Sequence, residues 1–207
     1  QDLSSQNYRG DFEIILVDDD SEDDTSSIIK EISKKNNRFI YQSSNNGNST
    51  LQFKKRALDA GIKIAKYEWL LFTDVDCRLS SGWIAGMAAY FQSDNDYVIG
   101  YSNVKIKNGI INTFQSLDFF LLLVSARGAV NLNCPLACTG QNQAYRKSLY
   151  DKVGGFDRIK NHLQGDDSLF MNICKKWGKA RIIFADDCNC HVDSYGENKW
   201  ISLLRLC

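Results

Sequence analysis

"FEIILVDDDSEDDTSSIIKEISKK", residues 12–35, decides the fold. Phe12–Val17 is an apolar run, interrupted only by Glu13, that ends in acids, the pattern of a strand buried on both faces of a parallel sheet. The polar segment that follows predicts a helix, with Ser21 or Asp23 as its N-cap. An acid-rich helix start accounts for Asp23 and Asp24, since acids favour helix N-termini. It accounts poorly for Asp18 and Asp19, which follow the strand directly and should point into a crevice.

Outward from this stretch the alternation continues. Arg38–Gln42 reads as a short strand and Asn45–Asn48 as a turn around Gly47. In the next helix Leu51, Leu58, Ile62 and Ala65 fall on one face, and Glu68–Thr73 is a third buried strand. A β-α-β-α-β order with short links predicts an α/β fold with a mostly parallel central sheet flanked by helices. Both acidic clusters then lie at carboxyl ends of strands, the edge where open α/β sheets bind ligands.

The second half is less regular. Trp83–Phe91 should be a helix, Tyr97–Ile106 strand material and Asn112–Ala126 a helix. The apolar run Phe119–Val124 in that helix is too short to span a bilayer and belongs either to the core or to a membrane interface. Leu169, Phe170, Ile173, Cys174 and Trp177 form a helical core stripe, which puts Asp166 and Asp167 at that helix's N-terminus. Arg181–Phe184 reads as a further strand.

At 207 residues the chain fits one domain. With 25 basic and 25 acidic residues the net charge is zero, which argues against a nucleic-acid binder working through a global positive field. Seven scattered cysteines, without paired metal-binding spacings, read as reduced thiols of a cytoplasmic protein. Residues 1–9 read as the tail of a helix and residues 200–207 stop inside an amphipathic stretch. The expectation is a piece cut at both ends from a longer protein, with any membrane contact made by segments outside it.

Asp74 and Asp76 close the third strand in "LLFTDVD". A lone D-x-D is common by chance, and an acidic turn would explain it. Its place at a strand end raises its meaning. If the strand continues, alternation points both carboxylates to one side and turns Val75 to the core. Two carboxylates in one crevice repel unless a cation neutralises them. Hard oxygen donors suit Mg²⁺ or Mn²⁺, which takes one or two carboxylates together with substrate phosphates.

The ordered set "ILVDDDSEDDT", "LLFTDVD" and "GQNQAYRK…VGGFD…GDD" resembles a family 2 glycosyltransferase of the GT-A fold, over about residues 12–205. The resemblance implies inverting, metal-dependent transfer of a sugar from a nucleotide-diphosphate sugar, a UDP-sugar first among them. The acceptor would be a glycan or lipid-linked hydroxyl, as in cell-envelope polysaccharide synthesis at the cytoplasmic face of a membrane. It implies a nucleotide-binding half at about 1–95 and an acceptor-binding half at about 96–207, with nucleotide contacts for Asp18 and Asp19, and metal and diphosphate contacts for Asp74 and Asp76. It implies the catalytic base for Asp167, with Asp166 beside it. It assigns Gly140, Gln141 and Asn142 to the donor-sugar and acceptor site, and His191 to the metal as a further ligand. Arg146, on the same segment, reads equally well as a surface charge.

A helix N-terminus lowers a carboxylate pKa and weakens a base, while Asp166 next door acts in the opposite direction. The plain alternative for both acids is a helix cap. Two departures from the family pattern stand out. The fold's usual first strand is absent ahead of residue 12, and the chain stops before any Q-x-x-R-W motif of processive members. Rival readings are a nucleotidyltransferase, a receiver-like signalling domain with Asp74 as its phosphorylated residue, and an inactive carbohydrate-binding relative.

Overall fold

The computed structural model describes residues 2–105 and 110–195. The amphipathic stretch expected at 200–207 lies outside the described residues. The chain packs as two compact units. One comprises Gln1–Tyr8, Leu71–Ala144 and Ala180–Cys207, and the other Arg9–Leu70 and Tyr145–Lys179. These units follow packing, whereas the 1–95 and 96–207 halves divide the chain by expected function.

In the unit that holds residue 12, strand β1 (Ile14–Asp18) pairs in parallel with β2 (Phe39–Ser43), from Ile14 opposite Phe39 to Asp18 opposite Ser43. The strand starts two residues later than the apolar run and includes the first acid, so Asp18 is held in the sheet. Helix α1 (Thr25–Lys35) joins them, and Asp23 accepts a hydrogen bond from the Thr25 backbone N–H at 3.0 Å. Helix α2 (Phe53–Ile64) buries Ala60, Gly61 and Ile62. Strand β3 (Trp69–Phe72) follows.

The same unit contains α5 (Lys147–Val153) and α6 (Ser168–Ile173), tied by an aromatic cluster. The Phe170 ring lies 5.0 Å from Tyr145, 5.7 Å from Tyr150 and 4.9 Å from Phe156. Each such pair contributes about 0.5–1.5 kcal/mol beyond its buried area. The expected stripe is corrected here. Phe170, Met171 and Cys174 are fully buried, while Leu169 and Trp177 are exposed. The cause is a π-type turn at Cys174–Gly178, which rotates Trp177 away from the face that starts at Phe170. Its ring is instead covered by Arg158 and Lys176, 4.4 and 5.4 Å from its centre.

In the other unit β4 (Arg78–Leu79) pairs antiparallel with β9 (Val192–Tyr195), and β6 (Ser102–Lys105) pairs parallel with β9. Strand β5 (Tyr97–Gly100) is wholly buried and runs parallel to β8 (Ile182–Ala185). Strand β7 spans Gln143–Arg146. Helix α3 (Trp83–Ala88) buries Trp83, Ile84 and Met87. Helix α4 (Ile110–Asn131) buries Leu123, Ala126, Ala129 and Val130. Its apolar run is split, because Phe120, Leu121, Leu122 and Val124 are exposed. No helix among the described residues is long and apolar enough to cross a membrane. Cys77, Cys134, Cys138, Cys174, Cys188 and Cys190 are free thiols.

Candidate active site

Asp18 ends β1 and is buried at 6% exposure. One of its carboxylate oxygens accepts from the Ser21 backbone N–H at 3.3 Å, which closes the turn after the strand. Asp19 is exposed, and Asp20 takes a left-handed conformation with φ of 60°. The two neighbours therefore differ: Asp18 shapes the turn and Asp19 offers its carboxylate to solvent.

Asp166 and Asp167 sit where expected, at the start of α6. Asp167 is the N-cap, its carboxylate accepting from the Ser168 N–H. Asp166 is buried, and the Lys54 ammonium lies 3.5 Å from its carboxylate. Gly165 just before them has φ of +114°, a conformation L side chains rarely adopt, and a Cβ there would meet the Leu169 side chain at 2.5 Å. Burial pushes the Asp167 carboxyl above the ordinary aspartate range, and Asp166 adds to that push. The Ser168 N–H and Lys54 pull the other way and do not prevail. The competition left open by the sequence is thus decided by desolvation, in the direction that strengthens a base.

Strand β3 ends at Phe72, and residues after Thr73 form a turn rather than a continued strand. The Cys77 backbone N–H donates to the Asp74 carbonyl at 3.2 Å. Val75 is fully exposed, which corrects its expected turn to the core: alternation stops where the strand stops. Asp74 is half-buried and Asp76 exposed. The Cys77 thiol lies 3.8 Å from an Asp76 carboxylate oxygen. Burial, then Asp76, then Asp74 push that thiol up to about 11.

Two carboxylates one residue apart supply the hard oxygen donors that suit Mg²⁺ or Mn²⁺, an ion that takes its remaining ligands from phosphate oxygens and water. Among the described residues no three His, Cys, Asp or Glu side chains gather as a metal-holding group. His191 accordingly does not complete a trio with Asp74 and Asp76. Its ring packs against Tyr101, with centres 4.7 Å apart.

The Gly140–Gln141–Asn142 segment divides into unlike parts. Asn142 is fully buried, and its amide nitrogen donates to the Tyr101 carbonyl at 2.8 Å and the Cys190 carbonyl at 2.7 Å. Its side-chain oxygen accepts from the Trp83 indole N–H at 3.1 Å. A Cβ on Gly100 would sit 2.4 Å from this amide, so a glycine there makes room for it. Asn142 thus joins the 140s loop to Tyr101 and to the residue before His191, and both of its N–H groups serve the fold. Gln141 differs: its side-chain oxygen is buried without a hydrogen-bond partner. Gly140 is half-buried. Arg146 stacks over the Trp69 ring at 4.7 Å, which identifies it as a packing residue rather than a loose surface charge.

Three residues escaped the sequence reading: Lys54, Lys55 and Tyr101. Lysines in an amphipathic helix read as a solvated face, and no spacing in the sequence ties α2 to the 160s. Chemically, the second unit offers a carboxyl with raised basicity beside a cation-held partner. The first offers a carboxylate pair, an unpaired amide oxygen and an imidazole on an aromatic ring.

A family model described as Glycosyl transferase family 2 matches residues 1–154. No curated protein matches the chain. Among solved structures, the mannosyltransferase PcManGT from Pyrobaculum calidifontis, in complex with GDP-Man and Mn²⁺, is similar at 18% identity and a TM-score of 0.71, over 99% of this chain and 54% of that one. GalNAc-T7 with UDP, GalNAc and Mn²⁺ is similar at 15% identity and a TM-score of 0.61, over 90% of this chain and 38% of that one. Glucosyl-3-phosphoglycerate synthase from Mycobacterium tuberculosis, with Mn²⁺, uridine diphosphate and glucosyl-3-phosphoglycerate, is similar at 15% identity and a TM-score of 0.53, over 93% of this chain and 63% of that one. This chain spans about half the length of the first of these. The likenesses establish the fold.

Proposed function

The chain belongs to glycosyl transferase family 2 and is a glycosyltransferase with the GT-A fold, and on that premise we propose that it performs inverting transfer of a sugar from a nucleotide-diphosphate sugar to an acceptor hydroxyl. The observation that carries the proposal is Asp167: a carboxyl raised by burial, capping α6 on a firmly packed helix. In this reading Asp167 accepts the acceptor's hydroxyl proton as that oxygen bonds to the anomeric carbon. The bond from that carbon to the diphosphate oxygen breaks, and its electron pair leaves with the nucleoside diphosphate.

Asp18 and Asp19 are proposed to contact the nucleoside, consistent with an expected nucleotide-binding half at about 1–95. Gly140 and Gln141 are proposed to face the donor sugar or acceptor, with Asn142 holding their loop. A divalent ion, Mg²⁺ or Mn²⁺, would be held by Asp76 and Asp74 and would neutralise charge on the leaving diphosphate. His191 is proposed as a further ligand to that ion. The Mn²⁺ named with the similar structures supports this reading.

A UDP-sugar donor, a glycan or lipid-linked acceptor, a role in cell-envelope polysaccharide synthesis and a cytoplasmic setting at a membrane face are parts of the same proposal. The free thiols fit a reducing compartment. The family match leaves the nucleotidyltransferase and receiver readings without support. The test is a panel of UDP-glucose, UDP-N-acetylgalactosamine and GDP-mannose, titrated with and without Mn²⁺ and assayed for donor cleavage and transfer. Metal-dependent binding with release of nucleoside diphosphate is expected. Binding without turnover of any donor, across a range of acceptors, would favour the inactive carbohydrate-binding relative.

A further inference from the structure

Lys55 lies in α2 with 1% of its surface exposed. An ammonium is a compact, strongly hydrated charge, so full burial needs a reason. Its Nζ donates to the backbone carbonyls of His162 at 2.5 Å and Leu163 at 3.2 Å. Both belong to residues 160–164, every one of which is exposed. A buried cation bonded to both carbonyls ties the backbone of this exposed segment to α2.

What this segment leads to gives the ordering its use. It runs from buried Ile159 to Gly165, Asp166 and Asp167. Gly165 holds a left-handed conformation against Leu169, so the turn into α6 follows a restricted path. Lys54, the residue beside Lys55, faces the Asp166 carboxylate. Two consecutive residues of α2 thus hold the approach to the acid pair and the pair itself.

We infer that Lys55 is a positioning residue: through the His162 and Leu163 carbonyls it sets where the segment presents Asp166 and Asp167. The inference rests on the reading of Asp167 as the base. Lys55 touches no reacting atom in this account and acts through the backbone.

The experiment compares the intact wild-type protein with Lys55→Met, which keeps the stem and removes the charge, and with Lys55→Arg. Amide hydrogen exchange is measured over 160–167 and over the rest of the chain. Affinity and turnover are measured with Mn²⁺ and whichever of UDP-glucose, UDP-N-acetylgalactosamine or GDP-mannose the wild type uses. Lys55→Met should speed exchange by about tenfold or more, confined to 160–167, as local rather than global opening. Turnover should fall by about 10²-fold, the scale of an ångström-sized misplacement, with donor affinity nearly unchanged. Lys55→Arg should recover part of the turnover. Unchanged exchange at 160–167, or faster exchange with unchanged turnover, overturns the inference. So does failure of both variants to fold, which would make Lys55 a core residue. A wild type that uses no donor refutes the functional reading, while the exchange comparison still tests Lys55's hold on the segment.

Discussion

The Lys54 ammonium sits 3.5 Å from the Asp166 carboxylate, one residue ahead of the carboxyl that caps α6. Lys54 also lowers the Asp167 carboxyl from the level to which burial raises it. One exposed lysine is thereby linked to both acids. With Asp167 as base, the rate should fall as pH drops through its raised pKa. Lys54→Met removes a charge that favours the ionised form, so this acid limb should move to higher pH. Turnover measured across pH in both proteins checks the shift; a limb that stays in place or moves down contradicts it.

Asp167→Asn should separate catalysis from stability. Turnover should fall by about 10²–10⁴-fold, the usual contribution of a general base, with donor affinity nearly unchanged. Stability at neutral pH should rise. A carboxyl with a raised folded-state pKa contributes stability that is complete below its unfolded value and is lost as pH rises through the folded one. Asparagine caps a helix about as well and has no proton to lose. The variant's melting temperature should therefore exceed the wild type's at pH 7, with the gain vanishing below the ordinary aspartate value of about 3.9. Melting curves at several pH values, beside kinetics, test both halves.

Asp76→Asn should abolish the Mn²⁺-dependent part of donor binding, and Asp74→Asn should weaken it less. Each variant should also lower the pKa of the Cys77 thiol from about 11, because both carboxylates help raise it. Thiol titration in the absence of metal reads that effect apart from catalysis. Equal donor affinity in wild type and Asp76→Asn, with and without Mn²⁺, would remove the metal role. His191→Ala should change Mn²⁺ dependence less than Asp76→Asn does.

Asn142→Ala and Gln141→Ala should behave oppositely despite adjacent positions. The first leaves the Tyr101 and Cys190 carbonyls and the Trp83 indole without their partner. At about 1–3 kcal/mol for each buried group left unpaired, the loss should be on the order of 3 kcal/mol or more. Gln141→Ala removes a side-chain oxygen that has no partner in the fold, so stability should stay within about 0.5 kcal/mol. Its effect should fall on the KM for the sugar donor or acceptor. Denaturant melts with parallel kinetics distinguish the two.

Asp18→Ala should weaken UDP and a UDP-sugar about equally, since its proposed contact is with the nucleoside. Its bond to the Ser21 N–H shapes the turn after β1, so the loss should be accompanied by faster exchange at that turn. A loss confined to the sugar-bearing ligand would contradict the assignment.

The alternation of apolar runs, acids and helical stripes was sufficient for the α/β class, for parallel β1 and β2 and for the acids at the ends of β1 and β3. These features are local: burial of a strand and the period of a helix are written in residues a few places apart. The order of acids along the chain likewise carried the family resemblance. Local reading failed where a regular element broke off, and where a neighbour distant in sequence intervened. Val75 turns outward because β3 stops at Phe72, and Trp177 leaves its stripe at the π-type turn after α6. The two amides Gln141 and Asn142 look interchangeable as letters, yet only the chain at Gly100, Tyr101 and Cys190 makes one a strut and leaves the other unpaired. The basicity of Asp167 was decided in the same way. Sequence places it at a helix start, which lowers a carboxyl, whereas tertiary packing removes its water, which raises it. Desolvation depends on what surrounds a group in three dimensions, and no local pattern of residues encodes it.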